Sequence, residues 1–278
     1  TAFRTIQEAI DAAASGDRIE VADGSYIEDI NFGGKDLYLT STGPQVPFVV
    51  DSTVIMGGGD APVVTFAGTE SKECALTGFT IRNGSSSGDG GGIAGNGTHA
   101  VISWNTIRSN TATNGGGIAG CKGLIQNNTI TDNEATLGGG LYDCSGTVLN
   151  NAIGSNTASD RGGGLHNCNG IIQNNTIAYN HAGGDAGGVA FCGGLIINCI
   201  VWGNTAGIKG AQLLETNPPM YSCVQGWTGD APGTISDDPL FAAPVEPPYK
   251  LGDGSPCFNT GSTWHTVVLD ANLGIEGV

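Results

Sequence analysis

Six side chains between positions 142 and 167 are of types that do chemistry in concert. Asp143, Asp160, Arg161 and His166 supply two carboxylates, a permanent cation and an imidazole, with Tyr142 and Asn167 beside them. Such a set can serve as base, acid and neutralising charge, and a polar patch of this kind can bind a sugar or a cation. Tyr179 and Trp202 offer aromatic faces for sugar stacking, with Tyr142 and Phe191 as further candidates. Other chemistries find less support. No G-x-S-x-G elbow for a serine nucleophile occurs. Neither a C-x-x-C pair nor a Cys/His set with zinc-finger spacing is present. Hydroxyl side chains are too common around His99, His166, His181 and His265 to single out a nucleophile.

These residues meet only if the chain repeats itself in space, and the sequence says that it does. From about residue 75 to 215 a pattern recurs roughly every 23 to 26 residues. Gly triplets end at Gly92, Gly117, Gly140 and Gly164, with a shortened one at Gly188. An aliphatic residue follows each (Ile93, Ile118, Leu141, Leu165, Val189), and Cys121, Cys144, Cys168 and Cys192 come three positions later in the last four. Asn-Asn-Thr-Ile or a variant then aligns Ile81, Ile107, Ile130, Ile153, Ile177 and Ile200. Asn110, Asn133, Asn156, Asn180 and Asn204 follow, and two residues on, Ala112, Ala135, Ala158, Ala182 and Ala206.

So short a unit suits three brief strands joined by turns, stacked about 4.8 Å apart. Equivalent residues then form ladders. Aliphatic ladders fill the interior, and the Ala ladder marks where each coil narrows. Asn amides pair down the stack, and Asn also tolerates a left-handed bend. The Gly triplets allow positive φ at a corner. In this register His166 lies over Tyr142 and Asn167 over Asp143, with Asp160 and Arg161 at the preceding turn. The Cys ladder is expected to hold free thiols, since parallel Cβ vectors suit a disulfide poorly. A leucine-rich solenoid would need L-x-x-L-x-L and a different return arm.

Composition agrees. Gly supplies 48 of 278 residues, more than twice its usual ~7%, which disfavours helical bundles. Gly does not fall at every third position, so collagen is excluded. A net charge of −16 excludes a nucleic-acid binder, which needs a basic stripe. No apolar run is long enough to span a bilayer.

The ends differ from the middle. In TIQEAIDAAA, residues 5–14, apolar residues fall at helical spacing, with Thr5 as N-cap and Glu8 completing a capping box. This helix is expected to plug the first coil. Strand-like segments follow at Asp17–Val21, Tyr26–Ile30, Leu37–Thr40 and Pro47–Val50. After about residue 215 the ladder stops, and eight of the 11 Pro follow. Leu240, Phe241, Tyr249 and Leu251 are expected to cover the last coil.

The opening TIQEAIDAAASGDRIEVADGSYIEDINFGGKDLYL resembles the N-terminal cap and first coil of right-handed parallel β-helix proteins with pectate-lyase-like architecture. GGGIAGCKGLIQNNTITDNEAT and GGGLHNCNGIIQNNTIAYNHA resemble the repeats of secreted or surface-bound bacterial members, and DDPLF with GSPCFNTG resembles their repeat-region end. The resemblance implies an all-β, right-handed parallel β-helix of about eight coils. The helical cap is 1–16, the coils 17–215 and an irregular C-terminal cap 216–278, all in one domain. It implies an extracellular or cell-surface module, monomeric, that binds glycan or matrix or is structural. Polysaccharide lyase or other carbohydrate-active chemistry on an acidic polysaccharide, at Asp143, Asp160, Arg161 and His166, is the alternative. Polygalacturonase-type hydrolysis lacks its G-H-G and R-x-K motifs, and the only Asp-Asp, Asp237-Asp238, precedes Pro239. The sequence requires no cofactor. An RTX nonapeptide and an EF-hand loop are absent, although Ca²⁺ at a turn near Asp89, Asp160 or Asp185 is compatible. An ice-binding Thr array is excluded by its gaps: Ala152 and Cys199 interrupt Thr106, Thr129 and Thr176, and Glu134 and His181 interrupt Thr111, Thr157 and Thr205.

Overall fold

Two or three strand-forming residues between Gly or Asn turns cannot bury themselves alone, so each coil must stack on the next. A computed structural model describes residues 3–243, 245, 247 and 249–258. In it the chain winds into a parallel β-solenoid of about nine turns. The strands form all-parallel sheets of eight, nine, eight and six. In one coil these are Val101–Ser103, Thr106–Arg108, Ile118–Ala119 and, in the smallest sheet, Thr111–Asn114. That fourth sheet goes beyond the expected three: the arm carrying the Ala ladder is itself a strand, Ala112 pairing with Ala135 and that with Ala158.

The interior is filled in register. Ile81, Ile107, Ile130, Ile153 and Ile177 stack with no exposure, each contributing roughly 1.5–3 kcal/mol of burial. At the next rung Val201, rather than Ile200, takes the inward place, and Ile200 lies on Thr176. The aligned series in the sequence therefore slips by one there. Two buried amide ladders run beside the aliphatic one. Along Asn110, Asn133, Asn156, Asn180 and Asn204 each Nδ2–H passes to the next Oδ1 at 2.9–3.0 Å, and Asn204, the last, passes its own to Gln212 Oε1 at 2.7 Å. Each also donates to a carbonyl one coil back, as Asn156 does to Ile130. Asn105, Asn128 and Asn151 do the same toward Asn175. Cys199 ends that second ladder, its thiol donating to the Ile172 carbonyl at 3.4 Å. Cys121, Cys144, Cys168 and Cys192 are buried and unbridged, as expected, with the Cys168 N–H on the Cys192 sulfur at 3.1 Å.

Positive φ falls on the first Gly of the triplets, at Gly90, Gly115, Gly138 and Gly162, and Ala186 replaces Gly there in the shortened one.

The N-terminal helix runs Ile6–Ala12, and Thr5 Oγ1 accepts from the Glu8 N–H. Ile6, Ala9 and Ile10 are buried. Glu28 accepts from the Ile6 and Gln7 N–H groups, and Lys35 Nζ donates to the carbonyls of Ile10, Asp11 and Ala13. Charge thus meets each end of the helix in the sense its dipole favours. Pro47–Val50, read as a strand, is instead the start of a helix, Pro47–Ser52. Pro at its first position is pre-set for that backbone, and the strand comes next, Thr53–Met56.

The stack runs one rung past residue 215. Cys223–Val224 pairs with Ile200–Val201, although this segment carries neither the Gly triplet nor the Asn pair. Val224 is buried and Trp227 packs against the core at this end. The expected cover by Leu240, Phe241, Tyr249 and Leu251 is therefore corrected. Phe241 pairs antiparallel with Leu251, Leu240 is 44% exposed, and Tyr249 is buried on Ala152 and Ala178, along the flank. A side chain at Gly154 would collide with the Tyr249 hydroxyl. Residues 259–278 of the expected cap, with His265, lie outside the described residues.

Candidate functional site

Two regions of the surface have functional shape. The first is the corner named by the sequence. Tyr142 and His166 end successive strands, Leu141–Tyr142 and Leu165–His166, and are paired in register. Their rings stack at 5.6 Å and 16°, and Phe191 continues the row at 5.5 Å and 44°. Arg161 arrives from the end of strand Thr157–Arg161. Its guanidinium lies 5.7 Å from the Phe191 ring centre, and its Nε is 3.6 Å from Asp160 and 3.7 Å from Asp185. Asn167 donates to Asp143 at 3.0 Å, both residues having left-handed backbone. Asp143, Asp160, Arg161, His166, Tyr142 and Asn167 are thus brought to one corner.

Its electrostatics are uneven. Burial, and then the Arg161 charge, hold the His166 imidazole below its ordinary value, against Asp160. Its Nδ1 is buried without a hydrogen-bond partner, as is Asp185 Oδ1. Burial likewise raises the Asp143 carboxyl, with the neighbouring Cys144 and Asp89 adding to the effect and Lys122 opposing it. Two carboxylates, Asp160 and Asp185, therefore flank the one guanidinium, while Asp143 pairs with Asn167. The stacking of Tyr142 and His166 turns ring faces toward each other, leaving mainly edges for a ligand.

The corner does not include Tyr179 or Trp202. Tyr179 sits at the turn after Thr176–Ala178, against Phe241 at 6.2 Å and Tyr249 at 5.7 Å. One side of its ring is packed by the C-terminal segment, and the residue stays 39% exposed. Trp202 pairs with Ala178, so it is not level with Tyr179, whose ring lies over Gly203. Among the described residues, no group of three or more His, Cys, Asp or Glu is gathered to hold a metal ion. Asp89 instead accepts from Asn114, and Asp160 and Asp185 flank Arg161.

The second region was not singled out from the sequence. A groove of about 810 Å³ lies at the turn between the Val101–Ser103 and Thr106–Arg108 strand positions. Trp104, Asn127, Asn150 and Asn174 line it, one per coil, all with left-handed backbone. Thr106, Thr129 and Thr176 stand beside them, and Pro47, Asp51 and Tyr249 contribute to its walls. The local cause is the Asn-Asn pair. Its second Asn points inward and joins a buried ladder. Its first takes the left-handed turn, a conformation Asn adopts more readily than most residues. Trp104 is 37% exposed at the same position. Doubled Asn in three successive repeats, at 127–128, 150–151 and 174–175, was the available signal, legible once the inward member of each pair is known.

No family model, curated protein or solved structure matches the chain. Among the described residues no helix is long and apolar enough to cross a membrane.

Proposed function

We propose that this solenoid is a glycan-binding module of the extracellular space or cell surface, and that a neutral chain lies along the Trp104–Asn174 groove. The carrying observation is the row of equivalent side chains, one per coil, in a concave site. Neighbouring coils are about 4.8 Å apart, close to the length of one sugar in an extended chain. Three successive coils therefore offer the same amide, from Asn127, Asn150 and Asn174, to successive sugars, with hydroxyls from Thr129 and Thr176, while Trp104 supplies an aromatic surface with a polar N–H. Net charge supports neutral over acidic glycans, since a chain at −16 repels a polyanion. The test is calorimetric titration with neutral and uronate oligosaccharides. Binding of a neutral series, weakened by Trp104→Ala, is expected; binding indifferent to that change, or none across the panel, overturns the groove.

One observation favours a second reading, a polysaccharide lyase or related enzyme working at the corner. An imidazole held neutral beside a guanidinium is a base next to a charge neutraliser. Incubation with pectates, alginates and glycosaminoglycans, with and without Ca²⁺, decides it by ultraviolet absorbance of unsaturated product. Activity lost in both His166→Ala and Arg161→Ala would establish the enzyme; silence across the panel removes it.

A further inference from the structure

The eight cysteines are not equivalent, and one pair stands apart. Cys223 lies on the last rung, in register with Ile200. The chain then returns: Ile235 pairs with Cys223, and Phe241 with Leu251. The turn beyond is pinned by Ser255, whose hydroxyl donates to the Pro239 carbonyl at 2.6 Å and accepts from the Cys257 N–H at 3.1 Å. This brings the Cys257 thiol into hydrogen-bonding contact with that of Cys223. Cys223 also reaches the Asp237 carbonyl at 3.2 Å. Two thiols far apart in sequence therefore meet where the end of the solenoid meets its returning tail. Cys257 is the only one of the eight that is not buried.

We propose that Cys223 and Cys257 form a disulfide in an oxidising compartment, locking the tail to the last coil, while the buried thiols stay reduced. The oxidant is a small-molecule disulfide such as oxidised glutathione. The Cys257 thiolate attacks one of its sulfurs, forming a mixed disulfide and releasing one reduced glutathione. Cys223 then displaces the second glutathione and closes the S–S bond, its thiol proton passing to the departing glutathione thiolate. In sum, two protein thiols are oxidised and one glutathione disulfide is reduced to two thiols. Half-exposure gives Cys257 the access the first step needs, and the hydrogen bond from Cys223 holds its thiol below the ordinary value. Cys121, Cys144, Cys168 and Cys192 also lie near one another, but each is fully enclosed, so no oxidant reaches them.

A bond here closes a loop of about 35 residues, which restricts the unfolded chain. The proposal is independent of glycan binding. Fully reduced protein is equilibrated in glutathione buffers of increasing oxidised fraction, alkylated, and mapped by non-reducing peptide mass spectrometry. One linked pair containing Cys223 and Cys257 is expected, with the other six thiols alkylated only after denaturation. The melting temperature should rise by several degrees on oxidation, and Cys257→Ser, at a half-exposed position, should abolish that rise. Eight free thiols at the most oxidising ratio, a bridge within the buried stack, or a glutathione adduct that never resolves each overturn the proposal. So does a Cys257→Ser variant that gains the same stability.

Discussion

The groove and the corner are built from the same repeat and use it in opposite ways. In the groove the repeat is kept: Asn127, Asn150 and Asn174 recur at one position, and their inward neighbours Asn128, Asn151 and Asn175 are fully hydrogen-bonded. At the corner it is broken. Where flanking coils carry Ala119 and Ala190, the middle ones carry Tyr142 and His166, and His166 Nδ1 and Asp185 Oδ1 are left without partners. Regularity satisfies polar groups because each coil supplies the partner the next one needs. A departure has no equivalent neighbour to answer it. Ladders thus build stability or an extended surface, whereas broken positions leave buried polar groups unanswered.

Four substitutions sharpen that contrast. The largest effect is expected inside: Asn156→Ala removes the acceptor for the Asn133 backbone and side-chain N–H groups and the donor to Ile130. Orphaning these groups should cost roughly 3–5 kcal/mol, read as a lowered urea midpoint. A loss no greater than an exposed Asn produces would show that water replaces the ladder. Trp104→Ala comes next, weakening a neutral oligosaccharide about tenfold, or about 1.4 kcal/mol, with an unchanged urea midpoint. Asn150→Gly, in the groove and outside the core, keeps the left-handed backbone accessible; it should weaken the oligosaccharide about fivefold, the worth of about one hydrogen bond, and shift stability by less than about 0.5 kcal/mol. If it destabilises as Asn156→Ala does, the division between surface and ladder fails.

The smallest effect belongs to the corner and depends on pH. His166 is held below its ordinary value, so the unfolded chain takes up a proton first as pH falls through about 6.5. Folded stability therefore declines from there down toward the folded value. Asp143, held above its ordinary value, works in the opposite sense, since protonation near pH 4 favours its folded environment. His166→Gln should flatten the decline below about pH 6.5, followed by thermal melts at falling pH. An unchanged slope would mean that His166 ionises freely.

Much of this was legible in the residues, for a physical reason. A ladder imposes the same demand at every coil, so Ile81 to Ile177, the Ala row and the Cys row appear as spacing. The capping box at Thr5 and Glu8 is local chemistry and was equally readable. Failures came where a single coil departs from its neighbours. Ile200 and Val201 exchange places because Cys199 stands where Asn stood, and the rung at Cys223 has no motif, since parallel pairing needs only backbone. The contacts of Tyr179 with Phe241 and Tyr249 were out of reach because these partners are more than 60 residues away in sequence. The corner was found because its unusual residues lie within one repeat. The groove escaped because Asn recurs so often that its outward and inward members look alike.

The missing side chain at Gly154 has a consequence for how such a chain can grow. Its equivalents in neighbouring coils are Arg82, Arg108, Thr131, Ala178 and Trp202. Gly154 thus marks the one place along this row where the Tyr249 hydroxyl fits. The tail reads that mark by distance, folding back a fixed number of rungs from Cys223. Duplication of a repeat before Gly154 lengthens the solenoid and leaves this address intact. Duplication after it moves the socket one rung, about 4.8 Å, away from the tyrosine. Only one half of the molecule is free to change length by adding copies of itself.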